Sequence, residues 1–573
     1  MRKTLSILFV LVFVVTLFTA AMPSLLSFQK AAAATTVGDA NFDDAIDMKD
    51  VLIIRKYLAA LVEDYNIDVL AADCNQDASL DMKDVLMLRK YLAHMETLPE
   101  AKETSSVPTT TTGETPTSKP TESSPVTNPT TPTPTTAGKM PIDLTMVPDQ
   151  ILLSYYDVDA TEMGVTWHNT VKSSKPVVEY VKVSGSETPD FSQAEKASAT
   201  RDSYQTQTWP FYPDTNTFYY DSKGFTTITD YAYHAVMDNL DFDSTYAYRV
   251  GDEEEESWSR TGTFKTRKET VDSFSFIYTS DTQVSSIGDQ KMHTYMKKGL
   301  DAAVKEDPNL SFLIQGGDFV QNSNRMYQWQ MHIDGNSEFL MKYPTMMVTG
   351  NHESTHDTAG QYEIFKHTTV DLPSVDMDKK LGIYYSFNYG NAHFVILNTD
   401  ERSGDKLSST QVAWLESDLK ANTQKWTIVA MHRPIVALRE STDPSALRSQ
   451  LAPLFVKYGV DFVIQAHEHV FTRSYVLDEK GQPIKDAVKE TSNGVEYYKD
   501  PAGFLVATFA AGGSSDRSPS TKVNESLCEV YGDGQESSFA NFTITGDTLT
   551  VRAFYASSGS AKAYDGGQWG IKK

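Results

Sequence analysis

The sequence has very little cysteine. Cys74 and Cys528 are the two cysteines among 573 residues, and a long polar stretch lies between them. A framework of disulfide bonds is therefore excluded as the means of holding the chain together. The chain is too long for one hydrophobic core, so we expect three or four domains that each bury their own apolar side chains.

Positive charge is also scarce relative to negative charge. The chain has 51 lysine and arginine residues against 76 aspartate and glutamate residues, which gives a formal net charge of -25. Long-range repulsion disfavours binding to nucleic acid or to an anionic membrane. If the substrate is an anion, bound metal ions must supply the positive field locally.

Long apolar runs are absent after the beginning of the chain. Met1, Arg2 and Lys3 precede an apolar run over residues 5–22, and small residues follow at 31–34. This layout predicts a signal peptide over residues 1–34 and a secreted, extracellular protein with no stable membrane span after signal removal. An uncleaved membrane anchor is the alternative, because the run is long for a cleaved signal.

A segment of low complexity divides the chain. Residues 98–140 consist largely of threonine, proline and serine and contain almost no large apolar side chain. Such a composition cannot bury a core, so it predicts an extended linker. The linker separates a small acidic module, residues 37–97, from the large remainder.

The acidic module contains a nearly literal internal repeat. Loops that start at Asp39 and Asp73 have oxygen-bearing side chains at the first, third, fifth, ninth and twelfth positions, and each precedes an amphipathic helical pattern. Calcium takes about six to eight oxygen ligands in flexible loops of this kind. The predicted calcium ligands are Asp39, Asn41, Asp43, Asp47, Asp50, Asp73, Asn75, Asp77, Asp81 and Asp84. A solvated acidic surface is the alternative for one loop, and the second copy argues against it.

Both halves of the module resemble type I dockerins, by which secreted enzymes of cellulolytic anaerobes attach to cohesins. The resemblance departs at the sixth loop position, where Asp44 and Ala78 replace the usual glycine. It implies a small α-helical dockerin with two bound calcium ions. It also implies a cohesin domain of a scaffoldin as partner and association with a cellulosome.

Short alternating runs after the linker predict a β-sandwich over residues 141–268. Residues 165–167 and 177–181 are such runs, and Gly, Pro, Asp and Ser interrupt the pattern. The stretch from Leu240 to Tyr246 resembles the turn and corner tyrosine of a fibronectin type III-like sandwich.

Residues 271–573 alternate between strand and helix patterns. Helices are predicted over 411–419, where Ser408 and Gln411 form a capping box, and over 445–458, which Gly459 ends. In such an α/β architecture the chemistry lies where strands end. The apolar strand runs are residues 274–278, 312–314, 346–348, 394–397, 428–431 and 462–464.

Five polar motifs follow strand runs in order. They are SDTQ at 280–283, GGDFVQ at 316–321, GNHE at 350–353, AMH at 430–432 and AHEH at 466–469. A pair of metal ions needs a bridging carboxylate, further oxygen ligands and imidazoles from several strand ends, and this set contains them. Each motif alone has a structural explanation, such as a buried histidine or a turn aspartate, but their order on an α/β frame favours a metal centre.

The five motifs resemble those of calcineurin-like metallophosphoesterases, and the sandwich before them is similar to the N-terminal domain of purple-acid-phosphatase-like enzymes. The resemblance implies an α/β metallophosphoesterase sandwich in which Asp318 bridges two transition-metal ions, iron, manganese or zinc. His352 would be the catalytic acid beside the leaving group, and Glu353 would orient it. The implied metal ligands are Asp281, Gln283, Asp318, Asn351, His432, His467 and His469.

Two positions depart from the family pattern. Gln283 stands where histidine or glycine is usual, and Gln321 stands where a tyrosine ligand is usual. An amide oxygen binds a hard metal ion more weakly than imidazole or phenolate does. The first metal position is therefore expected to be looser, and whether Gln283 is a direct ligand stays open.

The resemblance implies a phosphatase that hydrolyses small phosphate monoesters and docks to a cohesin scaffold through calcium. Two alternatives stay open. One is a phosphodiesterase. The other is a non-catalytic, dockerin-borne binding protein with a degenerate metal site.

Overall fold

The computed structural model describes residues 74, 87, 88 and 147–573, apart from 186–187, 209–210, 213–216, 219–224, 286–290, 355–366, 372–383, 439–443, 514–523 and 558–559. The predicted signal peptide, linker and calcium ligands lie outside the described residues, so they stay predictions. Within the described part of the chain, no helix is long and apolar enough to cross a membrane.

The alternating runs form a β-sandwich, as predicted. Its strands are β1 (Asp149–Tyr155), β2 (Met163–Asn169), β3 (Pro176–Val183), β4 (Glu195–Ser198), β5 (Thr200–Thr208), β6 (Phe211–Tyr212), β7 (Thr217–Phe218), β8 (Thr226–Met237), β9 (Thr245–Asp252), β10 (Ser257–Trp258) and β11 (Gly262–Lys265), with a 3-10 turn at Phe191–Gln193. One antiparallel sheet has the order β1-β2-β8-β5, and the other has the order β10-β9-β3-β4 with β11 also beside β9. The Tyr246 hydroxyl accepts a hydrogen bond of 3.0 Å from the Asp241 N–H, which confirms the corner tyrosine.

The rest of the described chain is an α/β domain. Its strands are β12 (Ser273–Thr279), β13 (Leu310–Gln315), β14 (Thr345–Met347), β15 (Tyr385–Tyr389), β16 (Ala392–Ile396), β17 (Arg402–Ser403), β18 (Lys406–Leu407), β19 (Trp426–Ala430), β20 (Phe462–Gln465), β21 (Phe471–Ser474), β22 (Val476–Leu477), β23 (Pro483–Ile484), β24 (Lys489–Ser492), β25 (Val495–Lys499), β26 (Leu505–Phe509), β27 (Cys528–Gly532), β28 (Ser538–Thr545), β29 (Thr548–Ser557) and β30 (Ser560–Lys572). The two large described sheets have the orders β14-β13-β12-β28-β29-β30-β25-β24 and β15-β16-β19-β20-β26-β21-β27. All six apolar runs predicted as strands are strands.

Helices connect several of these strands. They are α1 (Lys291–Glu306), α2 (Met326–Ile333), α3 (Ser337–Leu340), α4 (Asn351–Ser354), α5 (Ser409–Ala421) and α6 (Ser445–Lys457), with a 3-10 turn at Asp334–Asn336. Ser408 caps α5 by accepting a hydrogen bond of 3.1 Å from the Gln411 N–H, as the capping pattern predicts. Gly459, with φ of +68°, follows the end of α6 and adopts the left-handed conformation that favours glycine.

Aromatic side chains fill the space between the two large sheets. The Phe276 ring on β12 stacks on that of Phe312 at a centroid distance of 5.0 Å and on that of Phe542 at 4.6 Å. From the opposite sheet, Phe394 meets Phe276 edge to face at 5.1 Å. This shared core fixes the two sheets face to face, with their parallel strands in β12–β14 and β16, β19, β20 and β26.

The sandwich packs directly on the α/β domain. Ser154 Oγ donates to the Thr369 carbonyl oxygen at 2.6 Å, and Tyr248 Oη donates to the Met341 carbonyl oxygen at 3.1 Å. A Cβ atom on Gly164 would lie 2.4 Å from the Thr369 carbonyl oxygen, so this approach requires glycine. The prediction of a β-sandwich followed by an α/β domain is confirmed.

Candidate metal centre

Five parallel strands deliver the motif residues to one edge of the α/β domain. Asp281, Asp318 and Asn351 follow the neighbouring strands β12, β13 and β14. His432 and His467 follow the neighbouring strands β19 and β20 of the other sheet. Because carboxyl ends of parallel strands lie at one edge, motifs far apart in sequence meet there.

Asp318 lies at the centre of this set and is almost completely buried. Its Oδ2 atom is 3.2 Å from His432 Nε2, 3.4 Å from Gln283 Nε2 and 3.8 Å from His352 Nε2. Its Oδ1 atom accepts a hydrogen bond of 2.9 Å from the His352 N–H. Both carboxylate oxygens therefore contact other motif residues.

Three side chains form a compact donor group. The ligand atoms of Asp318, His432 and His467 all lie within 4.8 Å of one another. The Nδ1 atom of His432 is 2.8 Å from the Gly316 carbonyl oxygen, which holds the proton on Nδ1 and leaves Nε2 as the donor atom. Asn351 Oδ1 lies 3.1 Å from His432 Nε2 and joins the same group.

A second pair lies beside this group. His469 Nε2 is 3.2 Å from Asp281 Oδ1, and the His467 N–H donates to Asp281 Oδ2 at 3.2 Å. Asp281 and Asp318 are both buried and close enough for their negative charges to repel. The structure therefore brings all seven predicted metal-binding side chains to one edge.

The backbone at these positions is strained. Of 14 described non-glycine residues with positive φ, five belong to the motifs. Each left-handed residue costs about 1–2 kcal/mol and persists where the surrounding contacts hold it, often at functional sites. The five residues and their φ angles are Asp281 (51°), Gln283 (41°), Asp318 (52°), His467 (72°) and His469 (54°).

The two buried carboxylates of the site, Asp281 and Asp318, need positive charge beside them to stay ionised. Burial would raise the pKa of Asp318, but the charge and hydrogen bond of His432 outweigh it and lower this pKa. Burial would lower the pKa of His432, but Asp318 and Asp281 raise it to about 10. Burial and the charge of His432 lower the pKa of His467 to about 3, so this imidazole is neutral and suited to bind metal. Two buried carboxylates, beside one imidazole that they hold protonated and one that stays neutral, fit a site for divalent or trivalent metal ions.

His352 presents its ring to the centre from a more open position. Its Nδ1 atom is 2.8 Å from the Gln321 carbonyl oxygen, which places the proton on Nδ1 and turns Nε2 towards Asp318. About a fifth of its side chain, 19%, is exposed, whereas His432 is fully buried. His352 can therefore reach both the centre and a bound molecule.

Glu353 joins two motif loops through the backbone. Its Oε2 atom accepts hydrogen bonds of 2.9 Å from the Asp318 and Gly350 N–H groups, and Oε1 accepts one of 2.9 Å from the Phe319 N–H. Burial and the charge of Asp318 raise its pKa to about 8. These contacts position the Asp318 loop, a function that the sequence motif did not indicate.

Gln465 is a positioning residue that sequence reasoning missed. Its Oε1 atom accepts from the Ile435 and Val436 N–H groups at 2.9 and 3.2 Å, and Nε2 donates to the Val436 carbonyl oxygen and Thr508 Oγ1 at 2.6 and 2.8 Å. This buried amide joins the loop after His432 to the end of β20. Its only sequence signal is its place directly before the AHEH motif.

Comparison with known families assigns three segments of the chain. Residues 274–471 match the calcineurin-like phosphoesterase family, so the α/β domain and its site define a metal-dependent phosphoric ester hydrolase. Residues 148–266 match the purple acid phosphatase N-terminal domain, and residues 37–93 match the dockerin type I domain. The chain therefore carries a purple acid phosphatase N-terminal domain, a calcineurin-like phosphoesterase domain and a dockerin type I domain, which confirms the resemblances and the predicted enzyme class.

The sequence identity of this chain to individual relatives is low. The chain is 24% identical to purple acid phosphatase 23 of Arabidopsis thaliana over 320 residues, which are 49% of this chain and 68% of that protein. It is 24% identical over 311 residues to Fe(3+)-Zn(2+) purple acid phosphatase 12 of the same plant, covering 51% and 61% of the two chains. The structure of purple acid phosphatase PPD1 from yellow lupin (Lupinus luteus) seeds aligns with a TM-score of 0.57 and 18% identity over 75% of each chain, which shows a shared fold.

Proposed function

We propose that this protein is a secreted phosphatase that hydrolyses small phosphate monoesters at a centre of two transition-metal ions. The observation that carries the proposal is the convergence on Asp318 of side chains from both sheets, with His432 Nε2 3.2 Å from its Oδ2 atom. The name of one relative, an Fe(3+)-Zn(2+) purple acid phosphatase, supports iron and zinc as the metals. Manganese stays an alternative that the resemblance of the sequence motifs implies.

The proposed ligand roles follow the two groups of contacts. Asp318 would hold both ions. Asp281 and His469 would hold the first ion. Gln283, whose Nε2 atom is 3.4 Å from Asp318 Oδ2, is close enough to the centre to be a further ligand through its amide oxygen. Asn351, His432 and His467 would hold the second ion.

The chain's own residues supply orientation and a proton. Bound metal ions would act as Lewis acids and lower the pKa of a water molecule towards about 7. The Gln321 carbonyl oxygen fixes the His352 ring through Nδ1, so Nε2 faces the centre and is the atom that would donate a proton to the leaving oxygen. Glu353 and Gln465 hold the loops that carry Asp318 and His432.

The decisive experiment measures metal content together with turnover of a chromogenic phosphate monoester and a matched diester. The proposal expects two metal ions per chain and faster hydrolysis of the monoester. Faster hydrolysis of the diester would favour the phosphodiesterase alternative. Bound metal without turnover of either ester would favour the non-catalytic binding protein.

The remaining proposals concern export, docking and boundaries. The residues at 1–34 support secretion, and the dockerin match supports calcium-dependent binding to a cohesin of a scaffoldin and a place in a cellulosome. We retain the boundaries 1–34, 37–97, 98–140, 141–268 and 271–573, within which the three family matches lie.

A further inference from the structure

An arginine directly follows His432 and is held in place by the neighbouring strand's loop. The Arg433 N–H donates to Thr399 Oγ1 at 2.8 Å, and Arg433 Nε donates to Asp400 Oδ1 at 2.8 Å. Asp400 is nearly buried, with 6% of its side chain exposed, whereas Arg433 keeps 24% exposed. The carboxylate is therefore buried and fixed, and part of the arginine side chain is open to solvent.

The pair lies on one flank of the candidate metal centre. Asp400 follows β16 and Arg433 follows β19, and these strands are parallel neighbours. The charge of Arg433 acts on His467, and the charge of Asp400 acts on His432. Arg433 is thus within electrostatic reach of His467, and Asp400 of His432, without either belonging to the donor group.

The geometry of the ion pair suits recognition of an anion. Asp400 binds the guanidinium at Nε, and the planar fork has two terminal nitrogens that can form parallel hydrogen bonds to phosphate oxygens. A phosphate monoester carries one more ionisable oxygen than a diester. A fixed cation beside the centre therefore favours the monoester, especially in a chain with a net charge of -25.

We propose that Arg433 binds a non-bridging oxygen of the phosphoryl group and makes the site prefer phosphate monoesters to diesters. The inference rests on the proposed function, because it places the phosphoryl group at that centre. Asp400 is the positioning residue that holds the guanidinium towards it.

The test compares Arg433→Gln with wild-type protein after both have been loaded with metal and their metal contents shown to be equal. Calorimetry measures the binding of inorganic phosphate, and kinetics give kcat/KM for an aryl phosphate monoester and a diester with the same leaving group. We expect phosphate affinity and monoester kcat/KM to fall roughly 10- to 100-fold, the usual range for a charge-assisted hydrogen bond. Diester kcat/KM should fall by less than about threefold, since the diester lacks that oxygen's charge.

Matched variants separate phosphate recognition by Arg433 from a general loss of positive charge and from a loss of the folded structure. Arg402→Gln removes an exposed positive charge two residues after Asp400 and should leave all three quantities unchanged. Arg433→Lys should recover part of the phosphate affinity, because it restores the charge without the fork. The phosphate affinity and monoester kcat/KM of Asp400→Asn should lie between those of the wild type and those of Arg433→Gln.

The outcomes distinguish this inference from the proposed function. Equal losses on monoester and diester, or unchanged phosphate binding in Arg433→Gln, would overturn the inference. If the wild-type protein hydrolyses neither ester but binds phosphate through Arg433, the proposed function fails while the recognition role stands. If the loaded wild-type protein binds no phosphate, the recognition role is overturned as well.

Discussion

His352 and His432 both direct an Nε2 atom at Asp318, but their surroundings differ. His432 is fully buried and lies 3.2 Å from the carboxylate, beside the Asn351 amide. His352 is partly exposed and lies 3.8 Å away. The shorter distance and complete burial suit a ligand, and the longer distance and exposure suit a proton donor.

His352→Ala should keep both metal ions and lose about 10²–10⁴-fold in turnover, the usual contribution of a positioned acid. The loss should be largest for alkyl phosphates and smaller for esters of acidic phenols, whose oxygen leaves without a proton. Metal analysis and a leaving-group series of rates check this expectation.

His432→Ala is the control for this assignment. It should lose metal first and activity as a consequence, with excess metal restoring part of the rate. Full activity of His352→Ala on alkyl esters, or metal loss equal to that of His432→Ala, contradicts the role of His352 as an acid.

At the scale of one element, Asp252 ends β9 and organises the turns around it. Burial would raise its pKa, but hydrogen bonds from the two turns lower it, so the carboxylate is ionised in the fold. The groups that donate to it are Ser173 Oγ and the N–H groups of Ser174, Lys175, Glu254 and Glu255.

Asp252→Ala should lower the free energy of unfolding of the sandwich by about 2–4 kcal/mol, because five donors, including the buried Ser173 hydroxyl, lose a charged acceptor. Asp241→Ala removes an exposed carboxylate that pairs with Lys182, and it should cost less than about 1 kcal/mol. Denaturant unfolding followed by tryptophan fluorescence measures both. Similar midpoints for the two variants would show that Asp252 does not organise the turns.

At the scale of the whole molecule, the contact between sandwich and α/β domain includes a buried histidine. His234 Nδ1 lies 3.2 Å from Thr369 Oγ1, and His168 lies nearby in an ion pair with Asp230, at 2.6 Å. Burial, followed by the charge of His168, lowers the pKa of His234 to about 4. The folded protein therefore requires the neutral imidazole at this interface.

His234→Gln should make stability less sensitive to acid. The unfolded histidine titrates near pH 6.5, so between about pH 6.5 and 4 the unfolded chain binds more protons than the folded one. This contribution to stability is complete above about pH 6.5 and is lost as the pH falls towards 4. Thermal unfolding of wild type and variant from pH 8 to pH 4 measures the difference. Parallel curves over that range would exclude a contribution from His234.

Calcium removal should separate docking from catalysis. We expect an Asp39→Ala, Asp73→Ala double variant, or wild type in excess chelator, to lose cohesin binding, because the predicted loops need a cation to neutralise them. Phosphatase activity of the double variant should be unchanged, since the metal centre uses other residues. Calorimetry with a cohesin and a phosphatase assay check both parts, and cohesin binding by the double variant in chelator contradicts the prediction.

Local patterns in the sequence determined the helices and strands and the types of side chain available to the candidate site. These patterns act over a few residues, so neighbouring positions in the sequence predict them. Examples are the Ser408 cap, the glycine after α6 and the apolar strand runs. The five motifs indicated which residues would come together as a candidate metal site, because each motif follows a strand and parallel strand ends meet at one edge.

Only the tertiary structure decided which groups hold those residues in place. Glu353 binds the Asp318 amide 35 residues away, and His432 is oriented by Gly316, 116 residues away. The hydrogen bonds of Gln465, and the ion pair between Arg433 and Asp400, likewise join loops from different strands. Such contacts depend on strand order and on how the two sheets face each other, which no local pattern encodes, so their partners became visible only in the folded chain.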